Sequence, residues 1–68
     1  MANKEKRYEV FCEDFSYIVY AGSLAGALQK FTDLWPDQAP FAVVETQYLE
    51  GRYLRIAEAR DEGLAGLF

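Results

Sequence analysis

Four carboxylates are the residues with which this chain could most readily do chemistry: Glu13, Asp14, Asp33 and Asp37. Acids in one place have three ordinary uses. A pair can trade a proton across a bond, several can hold a cation, or a group can present negative charge to a basic partner. The first use needs a concave site between two carboxyls, and a chain of 68 residues offers little concave space. The second needs calcium-loop spacing, which the sequence lacks. The third needs only that the acids share one surface.

Other candidates for chemistry are few. The chain has no histidine, which removes the commonest general base and metal ligand. Cys12 is its only thiol, so no internal disulfide and no Cys/His metal set can form. With no histidine to make it a thiolate, Cys12 reads as a core residue. The stretch Tyr20–Leu28, YAGSLAGAL, has the small residues of a phosphate loop. Its Gly22 and Gly26 match neither the G-x-x-x-x-G-K nor the G-x-G-x-x-G spacing, and no lysine follows. It reads instead as a joint: Gly22 permits a bend and Ser23 caps a helix. Gly26 lies off the apolar stripe and costs that helix up to about 1 kcal/mol relative to alanine. The expectation is therefore no catalytic residue, no metal and no cofactor.

The elements that position these residues follow from periodicity. Residues 8–12 (YEVFC) and 15–21 (FSYIVYA) alternate and are β-branched or aromatic, with Glu13-Asp14 between them, which predicts a hairpin. A two-residue loop sets Cys12 opposite Phe15, Val10 opposite Tyr17 and Tyr8 opposite Val19. Leu24, Ala27, Leu28, Phe31, Leu34 and Trp35 then recur on one helical stripe, and Pro36 stops the helix. Strands are expected over about residues 41–48 and 52–58. A three-residue loop, Leu49-Glu50-Gly51, pairs Val44 with Ile56, Thr46 with Leu54 and Glu45 with Arg55, which keeps charge apart from apolar residues.

These elements predict a single α+β domain over residues 1–68, with 1–6 and 59–68 as looser tails. Its order is ββαββ, a four-stranded antiparallel sheet in the order 2-1-3-4 with one helix packed on one face. That helix is expected to cover Tyr8, Val10, Tyr17, Val19, Val44, Leu54 and Ile56. Phe11, Ile18, Tyr20, Val43 and Tyr53 are left on the other face. Several apolar residues together there mark an interface, unless the C-terminal Leu64, Leu67 and Phe68 fold back over them. The Glu13-Asp14 turn falls at the same end as the helix C-terminus, which gathers Glu13, Asp14, Asp33 and Asp37. Charged turns are ordinarily just solvated, but Asp33 sits near the negative end of the helix dipole, where it is mildly unfavourable.

Net charge is −4, which disfavours direct contact with nucleic acid or anionic membrane. No segment approaches the roughly 20 apolar residues of a membrane span, and residues 1–7 lack the apolar core of a signal peptide. With the lone thiol, this points to the cytoplasm. Short, acidic, cysteine-poor chains with a ββαββ order resemble small phage-encoded proteins, among them the anti-CRISPR inhibitors. That resemblance rests on architecture and composition. It implies a bacterial host cell and a non-enzymatic inhibitor. Glu13, Asp14, Asp33 and Asp37 would then stand in for phosphates on the basic nucleic-acid-binding surface of a protein partner. The stretch Tyr17-x-Val19-x-Ala21-x-Ser23-Leu24-x-x-Ala27-Leu28 also resembles the strand-to-helix joint of small α+β proteins, including antitoxins of the partially folded-RNase type. The rival expectation is a homodimeric accessory or regulatory module that binds through Phe11, Ile18, Tyr20 and Tyr53, so the chain is expected as a monomer or a homodimer according to the reading.

Overall fold

A computed structural model describes residues 5–60. Strand β1 spans Lys6–Phe11, β2 Ser16–Ala21, helix α1 Leu24–Leu34, β3 Ala42–Leu49 and β4 Arg52–Arg60. The strands form one antiparallel sheet in the order β2-β1-β3-β4. The α+β arrangement, the strand order and the single helix are those expected from the sequence. Ala59 and Arg60, assigned above to a tail, extend β4, and Lys6 begins β1. The suggestion that Leu64, Leu67 and Phe68 fold back lies outside the described residues.

In the first hairpin Tyr8 lies opposite Val19 and Val10 opposite Tyr17, as the two-residue loop requires. The Cys12 amide donates to the Phe15 carbonyl at 2.9 Å, closing the loop over Glu13-Asp14. Cys12 is buried, and its thiol donates to the same carbonyl at 3.2 Å.

The second hairpin departs from the expected register. Its loop is the two residues Glu50-Gly51, with φ of 52° and 86°. Two left-handed residues match the twist of the flanking strands, so the tighter turn is favoured. Near the turn Tyr48 faces Tyr53, Gln47 faces Leu54 and Thr46 faces Arg55. A register shift between Glu45 and Thr46 then leaves Ile56 without a partner, and beyond it Glu45 faces Ala57, Val43 faces Ala59 and Val44 faces Glu58. The expected pairings of Val44 with Ile56, Thr46 with Leu54 and Glu45 with Arg55 are therefore corrected. In uniform register a two-residue loop would set Val43 opposite Glu58, mixing charge with core. The one-residue bulge avoids that pairing while keeping the tight turn.

The core lies between α1 and one face of the sheet. Tyr8, Val10, Val19 and Val43 meet Ala27, Leu28 and Phe31 there. Val43 pairs with Val10 across β1–β3 and is fully buried, which corrects its placement on the other face. Val44 alternates with it and so lies on the second face, though it too is buried, as is Ala42. Ile56, expected under the helix, is exposed. Full burial of a side chain such as Leu28 or Phe31 contributes about 1.5–3 kcal/mol.

Local chemistry fixes both helix ends. The Ser23 hydroxyl accepts from the Gly26 amide at 3.0 Å, as an N-cap does. A Cβ built on Gly26 would stand 3.3 Å from that hydroxyl and 3.6 Å from the Ala21 Cβ. The capping group itself is thus the close neighbour of this glycine. At the other end the Trp35 amide donates to the Phe31 carbonyl at 2.8 Å before Pro36 stops the helix. The Trp35 ring packs edge-on against Phe15 and Tyr17, at centroid distances of 5.2 and 5.9 Å. These contacts hold the helix C-terminus beside the β1–β2 turn.

Candidate interaction surface on the second face of the sheet

Alternation along each strand decides what α1 leaves uncovered. With Tyr8 and Val10 turned to the helix, Arg7 and Phe11 point the other way. The pairings of Arg7 with Tyr20 and Thr46, of Glu9 with Ile18 and of Tyr48 with Tyr53 place all these residues on that second face. Phe11, Ile18, Tyr20 and Tyr53 thus share the face the sequence assigned to them. Phe11 and Ile18 are half-buried, with the Phe11 ring 6.4 Å from that of Phe41. Tyr20, Tyr48 and Tyr53 are 52%, 59% and 54% exposed, so the accessible aromatic surface gathers at one end of the face.

Arg7 organises that end. Its guanidinium lies 4.0 Å from the centre of the Tyr53 ring and donates to Thr46 Oγ1 at 2.6 Å. Tyr53 meets Tyr48 edge-on at 4.9 Å. A cation over an aromatic face contributes about 0.5–1 kcal/mol at an exposed site. More important is position: stack and hydrogen bond together hold the guanidinium in one place. Among the described residues Arg7 makes no ion pair. An open cleft of about 540 Å³ lies over this group, with Lys6, Tyr20, Tyr48 and Tyr53 in its walls.

Two groups of the sheet titrate away from their ordinary values. Tyr8, buried on the helix side and paired across the sheet with Glu45, has its phenol raised above the usual tyrosine value, first by burial and then by the Glu45 charge. Glu58, across from Val44 at the far end of β4, has its carboxyl lowered. The hydrogen bond from Arg60 is the larger cause, with the charges of Arg60 and Arg55 adding to it.

The acids lie at the opposite end. Glu13 and Asp14 occupy the β1–β2 turn, Asp33 the last turn of α1 and Asp37 the loop after Trp35, and all four are exposed. The contacts of Trp35 bring the helix end and the turn together, as strand direction implied. Asp33 accepts from the Gln29 side chain at 3.0 Å. Among the described residues none of the four joins an ion pair, and no group of three His, Cys, Asp or Glu residues could hold a metal ion. No helix there is long and apolar enough to cross a membrane.

Sequence reasoning missed Arg7 and Tyr48. The three-residue loop set Tyr48 opposite Arg52, so its contact with Tyr53 was hidden. The signal was present in Glu50-Gly51, whose two-residue turn places Tyr48 and Tyr53 face to face. Protein-family models, curated proteins and solved structures were all compared with this chain, and none gives a significant match.

Proposed function

We propose that this chain is a non-enzymatic protein-interaction module that engages its partner through the second face of the sheet, with Tyr20, Tyr48 and Tyr53 as anchors. The observation that carries this reading is that three half-exposed tyrosines and a stacked arginine converge at one end of a face that α1 does not cover. Tyrosine and arginine are the residue types in which interface energy concentrates, because each offers large, pre-shaped contact area with a polar tip. The half-buried Phe11 and Ile18 extend the apolar part of the same face. Replacing Tyr48 and Tyr53 together by alanine should abolish partner capture while the chain stays folded. Capture at wild-type level by that variant would rule the face out.

A second reading is favoured by the other end of the molecule. Four exposed carboxylates, without ion-pair partners among the described residues, suit an inhibitor of the anti-CRISPR kind that occupies a basic nucleic-acid site on its target. Each pair formed with a partner arginine or lysine would contribute little if wet and about 1–3 kcal/mol if desolvated. Reversal of Glu13 and Asp14 to lysine should then abolish inhibition, and the complex should weaken with salt. Size-exclusion with light scattering adds the oligomeric state, which separates a homodimer from a monomeric inhibitor.

A further inference from the structure

The cleft over Arg7 has a chemistry narrower than that of the face around it. We infer that it receives a carboxylate side chain from an acidic, aromatic- or apolar-flanked segment of a protein partner. This inference rests on the proposed use of the second face and specifies what that face selects.

Arg7 is held from two sides. The Tyr53 ring lies against its guanidinium plane at 4.0 Å, and Thr46 Oγ1 accepts from Nη1 at 2.6 Å. Its remaining N–H groups make no hydrogen bond or ion pair with any described residue. A fixed guanidinium with donors to spare suits a planar carboxylate, which it can meet with two parallel hydrogen bonds. Lys6 also lines the cleft, but its pairing with buried Ala21 turns its side chain to the helix side, so the charge offered there is that of Arg7.

The charge balance sets how large an anion fits. Glu5 and Glu45 also line the cleft. Glu5 is bridged to Lys30 at 3.3 Å, and Lys30 also donates to the Tyr20 carbonyl at 2.5 Å, so Glu5 is held by a cation of its own. Lys6 and Glu45, paired with Ala21 and Tyr8, alternate onto the helix side, so Arg7 is the one unpaired charge that the cleft lining turns to the second face, an excess of one positive charge. One carboxylate neutralises that excess. A phosphate dianion or a nucleic-acid backbone would meet an acidic molecule with one cation there to compensate. The tyrosines in the walls supply apolar area and phenol hydroxyls for whatever flanks the acid.

The test is a random linear peptide library panned against the full chain, with the enriched peptide then titrated by fluorescence anisotropy. The enriched sequences should carry an Asp or Glu beside an aromatic or apolar residue. Arg7→Gln should weaken binding about tenfold or more, the scale of one lost charge-assisted pair. Arg7→Lys keeps the charge but not the fork or the stack, and should weaken it by several-fold as well. Affinity should fall as NaCl rises from about 50 to about 300 mM. Thermal melts of both variants must match the wild type within a few degrees; where Arg7→Gln melts early, Arg7→Lys decides. Enriched peptides without acids, equal binding by the Arg7 variants, or no enrichment at all would overturn the inference. If Tyr48→Ala/Tyr53→Ala still abolishes partner capture in that case, the face keeps its proposed function and only the carboxylate specificity fails. Loss of both effects removes the face itself.

Discussion

The two faces of the sheet are built from the same strands and have opposite character. On one, Tyr8, Val10, Val19 and Val43 are sealed under α1 with almost no exposure. On the other, tyrosines half open to water surround a stacked arginine. The difference arises from a single period-two alternation, because each residue turned to the helix turns its neighbour away from it. The first face can therefore be altered only at the expense of the fold. On the second, buried Ala42 and Val44 are bound to the fold in the same way, but the exposed tyrosines can be altered with the fold left standing, which the proposed binding role requires.

That contrast is sharpest where truncation is compared directly. Phe31→Ala empties a fully buried site and should cost about 3–5 kcal/mol, a large share of what so small a domain has. Tyr48→Ala, on the second face, should cost under about 1 kcal/mol, the worth of its cross-strand pair with Tyr53. Urea unfolding of the two variants checks this, and similar losses would erase the distinction between the faces.

The next effect concerns the turn that sets the second face. Gly51 adopts φ of 86°, where a Cβ is strained although nothing crowds it. Gly51→Ala should destabilise by about 1–2 kcal/mol. A neutral result would mean that the Glu50-Gly51 turn does not fix the register that brings Tyr48 to Tyr53.

Much of the first face was legible in the sequence, and the reasons are local. A stripe at helical spacing, a serine cap and a proline stop define α1 without reference to anything distant. The first hairpin was equally legible, since its loop leaves one register that keeps Tyr8, Val10, Tyr17 and Val19 together. The second hairpin was not. Its register changes midway at Ile56, and a bulge has no signature in a uniform alternation pattern. Pairing with β1, which sets Val43 opposite Val10 and Val44 opposite Glu9, is what puts Val43 in the core and Val44 on the second face. The acidic end was legible as a place, because strand direction alone brings Glu13, Asp14, Asp33 and Asp37 together. The Arg7 cluster was not, since it depends on the corrected turn.

Smaller effects test the joint that feeds α1 into the core. Ser23→Ala removes the acceptor for the Gly26 amide and should cost about 1 kcal/mol. Gly26→Ala gains up to about 1 kcal/mol of helix propensity but presses a methyl group on the capping hydroxyl. Its net change should fall within about 0.5 kcal/mol of zero, given that opposing crowding. In the double variant the crowding partner is absent, so Gly26→Ala should stabilise more on the Ser23→Ala background than alone. Differential unfolding of the four proteins reads this coupling.

The smallest effect is one of pH. The Glu58 carboxyl is lowered by its arginine neighbours, so folding favours the ionised form. Its contribution is present above the ordinary glutamate value of 4.5 and is lost as pH falls through the lowered value. Glu58→Gln should therefore melt slightly below the wild type at neutral pH and match it in acid. Because Glu58 is exposed, the gap should be small.

The central claim is that the second face, and not the acidic end, is where this chain meets its partner. The direct measurement is side-by-side capture from a lysate of cells that express the chain, using the wild type, Tyr48→Ala/Tyr53→Ala and Glu13→Lys/Asp14→Lys as baits, each shown to be folded. The face predicts that the partner bound by the wild type is retained by the charge-reversed bait and lost from the tyrosine bait. Retention by the tyrosine bait with loss from the charge-reversed one would contradict it and move the binding surface to Glu13, Asp14, Asp33 and Asp37.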